Sequence, residues 1–323
     1  MKATKLTMAA IAALLAGLAG ATAVRAGDDK PTTGEGEIQK GKDGAPDVVG
    51  KEVGKDVPDI HLNFMLNDDG RGTVADCRGQ VVIVDLWSTT CGPCRGLIPT
   101  FSRHQDELGK KGLQVFGITG EDQNVLCKFL ATGNTAPVHY KMGSGSSGGL
   151  QSPGTVPYCF LIGVDGKVVW QGHGAAPSKL IDAELKKVVP PTADQLEARA
   201  QKAVDRANEF ATAKHYVQAT ELLTKVTKEY PNTTAAKTAA TRISEIAADK
   251  DAAPEIAAQT ALKKILGGLD YPVEKLSGKE AAAAVVAIES LLKKQGEAAP
   301  ATAEIAKYWS GLLVKEKDAK AAK

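Results

Sequence analysis

Val81-Val82-Ile83-Val84-Asp85-Leu86-Trp87-Ser88-Thr89-Thr90-Cys91-Gly92-Pro93-Cys94 decides the reading of this chain. Its first half is an apolar run with one acid in it, which reads as a buried strand. The stretch that follows, Arg95 to Leu108, has apolar residues at Leu97, Ile98, Phe101 and Leu108 and reads as a helix. Strand, loop and helix in that order place Cys91 at or just before the first helical turn. Unpaired backbone N–H groups and the helix dipole favour negative charge there and lower a thiol's pKa. The two-residue spacer, Gly92-Pro93, lets Cys94 reach back and close a small disulfide ring. The pattern therefore predicts thiol–disulfide exchange, with the Cys91–Cys94 pair as the redox-active group and no cofactor or metal. Zinc would need a second ligand pair. Cys77, Cys127 and Cys159 stand singly, and no two histidines are close in sequence.

Further residues carry a family resemblance. Trp87 to Cys94 is similar to a W-x-x-x-C-G-P-C active-site loop. Asp85 stands six residues before Cys91 and Pro99 eight after it. Gly154-Thr155-Val156-Pro157 precedes the apolar Phe160-Leu161-Ile162, and Asp165-Gly166-Lys167-Val168-Val169 has the look of a hairpin. Val53-Gly54-Lys55-Asp56-Val57-Pro58-Asp59 and Arg78-Gly79-Gln80 form a lead-in. Together these resemble the TlpA/ResA-like, exported branch of thioredoxin-fold oxidoreductases. Ser88 is a mild departure, since that loop often carries Ala there.

The resemblance implies an α/β thioredoxin-like domain, a mixed sheet flanked by helices. It makes Cys91 the exposed nucleophile and Cys94 the resolving thiol. Asp85 becomes a buried acid whose raised pKa lets it exchange a proton with Cys94; the plainer reading is a polar residue at an edge or a solvated strand end. Trp87 shields the thiols or is simply core. Pro157 is expected in the cis form, exposing the Val156 backbone to pair with an extended substrate beside Cys91.

The other cysteines are less informative. Cys159 reads as a small core residue. Cys77, in a turn, and Cys127, in a helix from Asn124 to Ala131, are either bridged to each other or free. Glu121-Asp122 is read as the start of that helix, where acids suit the first turn; the alternative is charge near the active site.

The N-terminus points to export. Met1 to Ala26 has Lys2 and Lys5, an apolar stretch rich in Ala and Leu, and small-x-small endings, the pattern of a signal peptide. An uncleaved anchor is the alternative. The implied compartment is periplasmic or otherwise extracytoplasmic, where structural disulfides persist and a reducing protein needs an outside electron source. A membrane thiol donor is expected on the resemblance.

With 323 residues the chain is too long for one thioredoxin-like unit. The expected division is signal peptide 1–26, flexible linker 27–50, redox domain 51–189 and helical domain 192–323. After Pro190-Pro191 the sequence is rich in Ala, Lys and Glu and lacks Cys. Helices are predicted at Ala193–Lys214, Tyr216–Glu229, Thr234–Ala247, Pro254–Leu266, Lys279–Lys294 and Ala301–Lys317, with fraying from Lys315. Ala207, Tyr216, Ala219, Leu223, Val226 and Pro231 resemble a tetratricopeptide repeat, which would offer a protein-binding face. An Ala-rich bundle is the equal alternative. Tyr308-Trp309 is either an anchor on such a face or core.

A net charge of +2, with acids and bases interleaved, does not indicate a nucleic-acid surface. Two function classes remain. One is an enzyme, a disulfide reductase or an oxidase or isomerase, acting on a protein thiol or disulfide. The other is a helical scaffold using the thioredoxin fold for binding. Peroxidase chemistry fits poorly, because Val84 stands where that pattern needs Pro. The intact Cys91, Cys94, Asp85 and Pro157 favour the enzyme, and Gly92-Pro93 resembles the spacer of reducing thioredoxins.

Overall fold

The computed structural model describes residues 50–58, 60–132, 138–267, 269 and 276–321. The expected signal peptide and the linker as far as Val49 lie outside the described residues. Among the described residues the chain divides into two compact units: one holds the residues before Cys127 and those from Val138 to Pro191, the other holds the residues from Thr192 onward together with the segment Cys127 to Thr132.

The first unit is built on a six-stranded sheet of β1 (His61–Leu66), β2 (Val81–Leu86), β3 (Leu113–Thr119), β4 (Lys141–Ser146), β5 (Tyr158–Ile162) and β6 (Val168–His173). Spatial order is β1-β4-β3-β2-β5-β6. β2, β3 and β4 run parallel, while β1, β5 and β6 pair antiparallel. Its helices are α1 (Gly92–Leu108) and α3 (Ser178–Leu185), with the first residues of α2 (Gln123–Thr132), which from Cys127 on groups with the second unit. This is the thioredoxin-like mixed sheet flanked by helices. Val81 to Asp85 are all buried, as a strand at the centre of a two-sided sheet must be.

Side-chain alternation divides β2 between two faces. Val82 and Val84 join Phe116, Ile118, Phe160 and Ile162 in one apolar cluster. Ile83 and Asp85 fall on the opposite face. There Phe101 of α1 meets Tyr140 edge to face, with ring centroids 5.9 Å apart. Away from the cysteine pair, buried Lys141 donates to Asp69 Oδ2 at 3.1 Å and Gln114 Oε1 at 2.9 Å, and Arg71 spans Asp69 and Gln80. Buried charges so satisfied hold the start of β4 to the segment after β1 without leaving an ion unpaired.

The second unit is helical: α4 (Ala193–Thr212), α5 (Tyr216–Glu229), α6 (Thr234–Ala248), α7 (Ala253–Gly267), α8 (Gly278–Gln295) and α9 (Pro300–Ala321). α6 packs on both α4 and α5. Ala200, Ala203, Ala207, Ala219, Ala235 and Ala239 let the backbones approach, and Val204, Phe210, Leu223 and Val226 fill between them. Helix starts carry local caps: Thr192 and Gln195 form a capping box on α4, and Ser277 and Glu280 another on α8.

Side chains from other helices complete the capping. Glu197 of α4 accepts from Thr234 and Ala235 N–H at 2.7 and 2.8 Å. Gln259 of α7 accepts from Val217 N–H at 3.0 Å and donates to the Lys214 carbonyl at 2.5 Å. Glu255 accepts from Ala301 N–H at 2.8 Å, Thr302 N–H at 3.1 Å and Thr302 Oγ1 at 2.6 Å. Because Glu255 is buried, Glu255→Ala would strand those donors. A loss of about 3 kcal/mol is expected in denaturant unfolding of this unit, against about zero for exposed Glu297→Ala.

One expectation changes here and two open alternatives are decided. α9 continues to Ala321 rather than fraying from Lys315, and Lys320 Nζ donates to the Leu276 carbonyl. Trp309 is fully buried, so it is core and not a surface anchor. Cys77 and Cys127 are both buried and neither is disulfide-bonded, so the bridge considered between them is absent. Cys77 ends a short 3-10 turn and belongs to the apolar cluster under the sheet. No helix among the described residues is long and apolar enough to cross a membrane.

Candidate active site

The site forms where β2 ends and α1 begins. Trp87 N–H still donates to the Ile118 carbonyl at 3.1 Å, extending the β2–β3 ladder by one bond before the chain turns out. α1 starts at Gly92, earlier than the Arg95 expected, because Pro93 is well suited to a first helical turn. Cys91 is its N-cap, with extended backbone, and its sulfur accepts the Cys94 N–H at 3.1 Å. The side chain thus occupies the position at which a helix end stabilises an anion. Cys91 and Cys94 are joined as a disulfide, with Cα atoms 5.3 Å apart. Cys91 remains half-exposed, whereas Cys94 is only 1% exposed.

Across from the disulfide lies the loop before β5. The Val156–Pro157 bond is cis. Val156 is 39% exposed, unusual for a large apolar residue of this unit, and its carbonyl oxygen lies 3.7 Å from Cys91 Sγ. The disulfide has no proton to share across that gap; the reduced thiol would. The Pro157 carbonyl lies 3.0 Å from His173 Nδ1, and the His173 ring stands edge-on to Tyr158. His173 reaches the loop only through the register Tyr158↔His173 of β5 and β6, and no local motif marks it.

Beneath the disulfide end of the sheet sits Asp85, 1% exposed. Burial pushes its carboxyl up to about 7, partly offset by a hydrogen bond from Cys159. Asp85 is therefore inside the sheet and not at a solvated end. Trp87 is buried, and its indole lies over Gly117: a Cβ there would come within 3.3 Å of Trp87 Nε1 and 2.9 Å of Tyr140 Cε2. Gly117 is the β3 partner of Asp85, so its missing side chain leaves room for both rings on that row.

Glu121 corrects the sequence expectation. It precedes α2, which starts at Gln123, and its carboxylate accepts from Thr89 N–H at 2.7 Å, Thr89 Oγ1 at 2.8 Å and Thr119 Oγ1 at 2.9 Å. It ties the loop between Trp87 and Cys91 to the end of β3, the reading set second for it. Glu121→Ala is expected to cost about 1–3 kcal/mol through the stranded Thr89 donors. Exchange should slow roughly tenfold as the loop loses its fixed geometry. Thermal unfolding and single-turnover kinetics on the same variant check both.

An accessible sulfur on a helix N-terminus, a buried partner and a buried acid on a mixed sheet define a thiol–disulfide oxidoreductase of the thioredoxin superfamily. Residues 53–171 match the AhpC/TSA family model. The thiol-disulfide oxidoreductase ResA of Bacillus thuringiensis (strain Al Hakam) is 28% identical over 143 residues, 43% of this chain and 80% of that protein. The thiol:disulfide interchange protein DsbE of Pseudomonas fluorescens biotype C is 31% identical over 86 residues, 26% of this chain and 46% of its own length. Among solved structures, a Chlorobium tepidum protein described as a thiol:disulfide interchange protein DsbE is 26% identical. That match covers 42% of this chain and 98% of the other, with a TM-score of 0.34.

Proposed function

We propose that this chain is an extracytoplasmic disulfide reductase acting on exported proteins through a Cys91–Cys94 dithiol cycle, with no cofactor or metal. The observation that carries the reading is the asymmetry of the pair: Cys91 accessible and N–H-bonded at the helix start, Cys94 buried behind it. In the reduced form the Cys91 thiolate attacks one sulfur of a substrate disulfide. A Cys91–substrate bond forms and the other substrate sulfur leaves as a thiolate, which takes a proton from water. Cys94 then passes its proton to the Asp85 carboxylate and attacks Cys91 Sγ. The Cys91–Cys94 bond forms, and the second substrate thiolate departs and is protonated. Two electrons have moved from the cysteine pair to the substrate. A membrane thiol donor returns them.

Trp87 keeps water from the sulfurs. Val156, exposed beside Cys91, offers its backbone to an extended substrate segment, with Pro157 shaping that loop. Export rests on Met1 to Ala26, and the reducing direction on Gly92-Pro93. Residues 51–189 form the redox domain in this reading. The helical domain, 192–323, is tetratricopeptide-like and presents a partner or substrate protein: α6 packs on α4 and α5, and Ala207, Ala219, Leu223 and Val226 are buried between them.

The reduction potential of the Cys91–Cys94 pair, followed by Trp87 fluorescence in dithiothreitol or glutathione buffers with Cys91→Ser as control, tests the direction. A value below about −230 mV is expected; one near about −120 mV would make the protein an oxidant and end the reductase reading.

A further inference from the structure

We propose that Cys159 is a positioning residue for Asp85: its thiol donates the hydrogen bond that orients the buried carboxylate and favours the ionised form. The inference rests on the proton-transfer role proposed above for Asp85. The β2–β5 register sets Asp85 directly opposite Cys159, so both side chains leave the same face of the sheet. Cys159 Sγ lies 3.6 Å from Asp85 Oδ1, and both residues are buried. On the other flank β3 offers Gly117, which has no side chain to give. The rings that fill its space belong to Tyr140 and Trp87. Tyr140 is fully buried and its hydroxyl has no hydrogen-bond partner among the described residues.

The titratable groups facing Asp85 are thus Cys159 from β5 and Tyr140 from the segment entering β4. The cysteine pair of α1 does not titrate as a disulfide. Burial opposes the charge on Asp85 and the Cys159 bond favours it. The donor itself is held protonated, because burial, the nearby Asp85 charge and the shared hydrogen bond all raise the Cys159 thiol. A thiol that keeps its proton while the carboxylate gains and loses one is a fixed donor beside a working acceptor. A cysteine suits that place: its weak S–H bond steadies the charge without holding it so firmly that proton uptake from Cys94 becomes unfavourable.

The test follows the Asp85 carboxyl band by infrared spectroscopy against pH, together with the pH profile of single-turnover exchange. Cys159→Ala should raise both midpoints by about half to one pH unit, and Cys159→Ser, which restores a donor, should return them towards wild type. In an Asp85→Asn background Cys159→Ala should leave the profile unmoved. Unchanged midpoints in Cys159→Ala, or a shift that persists without Asp85, would overturn the proposal. If Cys159→Ala does not fold, the wild-type S–H stretching band serves instead. It should move between about pH 5 and pH 9 as Asp85 ionises, and a band indifferent to pH refutes the bond. Loss of the exchange reading itself would show separately, as wild-type protein that turns over no disulfide whatever its infrared midpoint.

Discussion

Cys94→Ser is expected to abolish catalytic disulfide reduction and to accumulate as a covalent Cys91–substrate adduct. Cys91→Ser should be equally inactive and form no adduct. The difference follows from position. Cys91 is the half-exposed N-cap of α1, and its sulfur receives the Cys94 N–H, so a thiolate there is stabilised whether or not residue 94 carries sulfur. Cys94 is buried, out of reach of an incoming protein, and can act only on Cys91. In the Cys94→Ser variant the first attack proceeds and the second cannot, which leaves the mixed disulfide as the end product. Each variant should lose at least about a thousandfold in turnover, since the two sulfurs act as a unit. Reduction of insulin in the presence of dithiothreitol gives the rate, and mass spectrometry of alkylated protein gives the adduct. Adducts on Cys94 of the Cys91→Ser protein would reverse the assignment of nucleophile and resolving thiol.

Much of this arrangement is legible in the sequence because it is local. The run Val81 to Leu86, the loop to Cys94 and the helix to Leu108 are adjacent in the chain, so period and spacing place strand, sulfurs and helix together. The helices after Thr192 are legible for the same reason, each having apolar spacing and several a cap such as Thr192 or Ser277. What escapes is whatever depends on strand order. Cys159 lies far along the chain from Asp85 and meets it only because β5 pairs with β2. Glu121 stands where a helix-starting acid belongs, and only the end of β3 beside the active-site loop turns its carboxylate onto Thr89. The Glu255 cap on α9 is likewise a contact between helices distant in sequence. The tie between Trp309 and the core follows from packing of a helix whose apolar residues are not confined to one stripe.

Asp85→Asn should make the protein more stable and a worse catalyst. The folded carboxyl titrates at about 7, against an ordinary unfolded value near 3.9. Between those values the native state holds a proton that the unfolded chain has released, so stability is greatest below about pH 4 and falls as pH rises through about 7. The full fall is roughly 4 kcal/mol, and it comes from desolvating the charge that appears on Asp85. Asparagine carries no charge, so the variant should lose that slope and gain a few kcal/mol over wild type above about pH 8. Exchange should fall by about a hundredfold at neutral pH, the usual scale for losing a positioned proton acceptor, and its dependence on a group near pH 7 should vanish. Chemical denaturation across pH and single-turnover release of the second substrate thiol read the two effects on one preparation. A merely structural acid would give the stability change alone, with resolution by Cys94 as fast as before. Opposite signs on stability and rate are what a buried charge kept for its proton must produce.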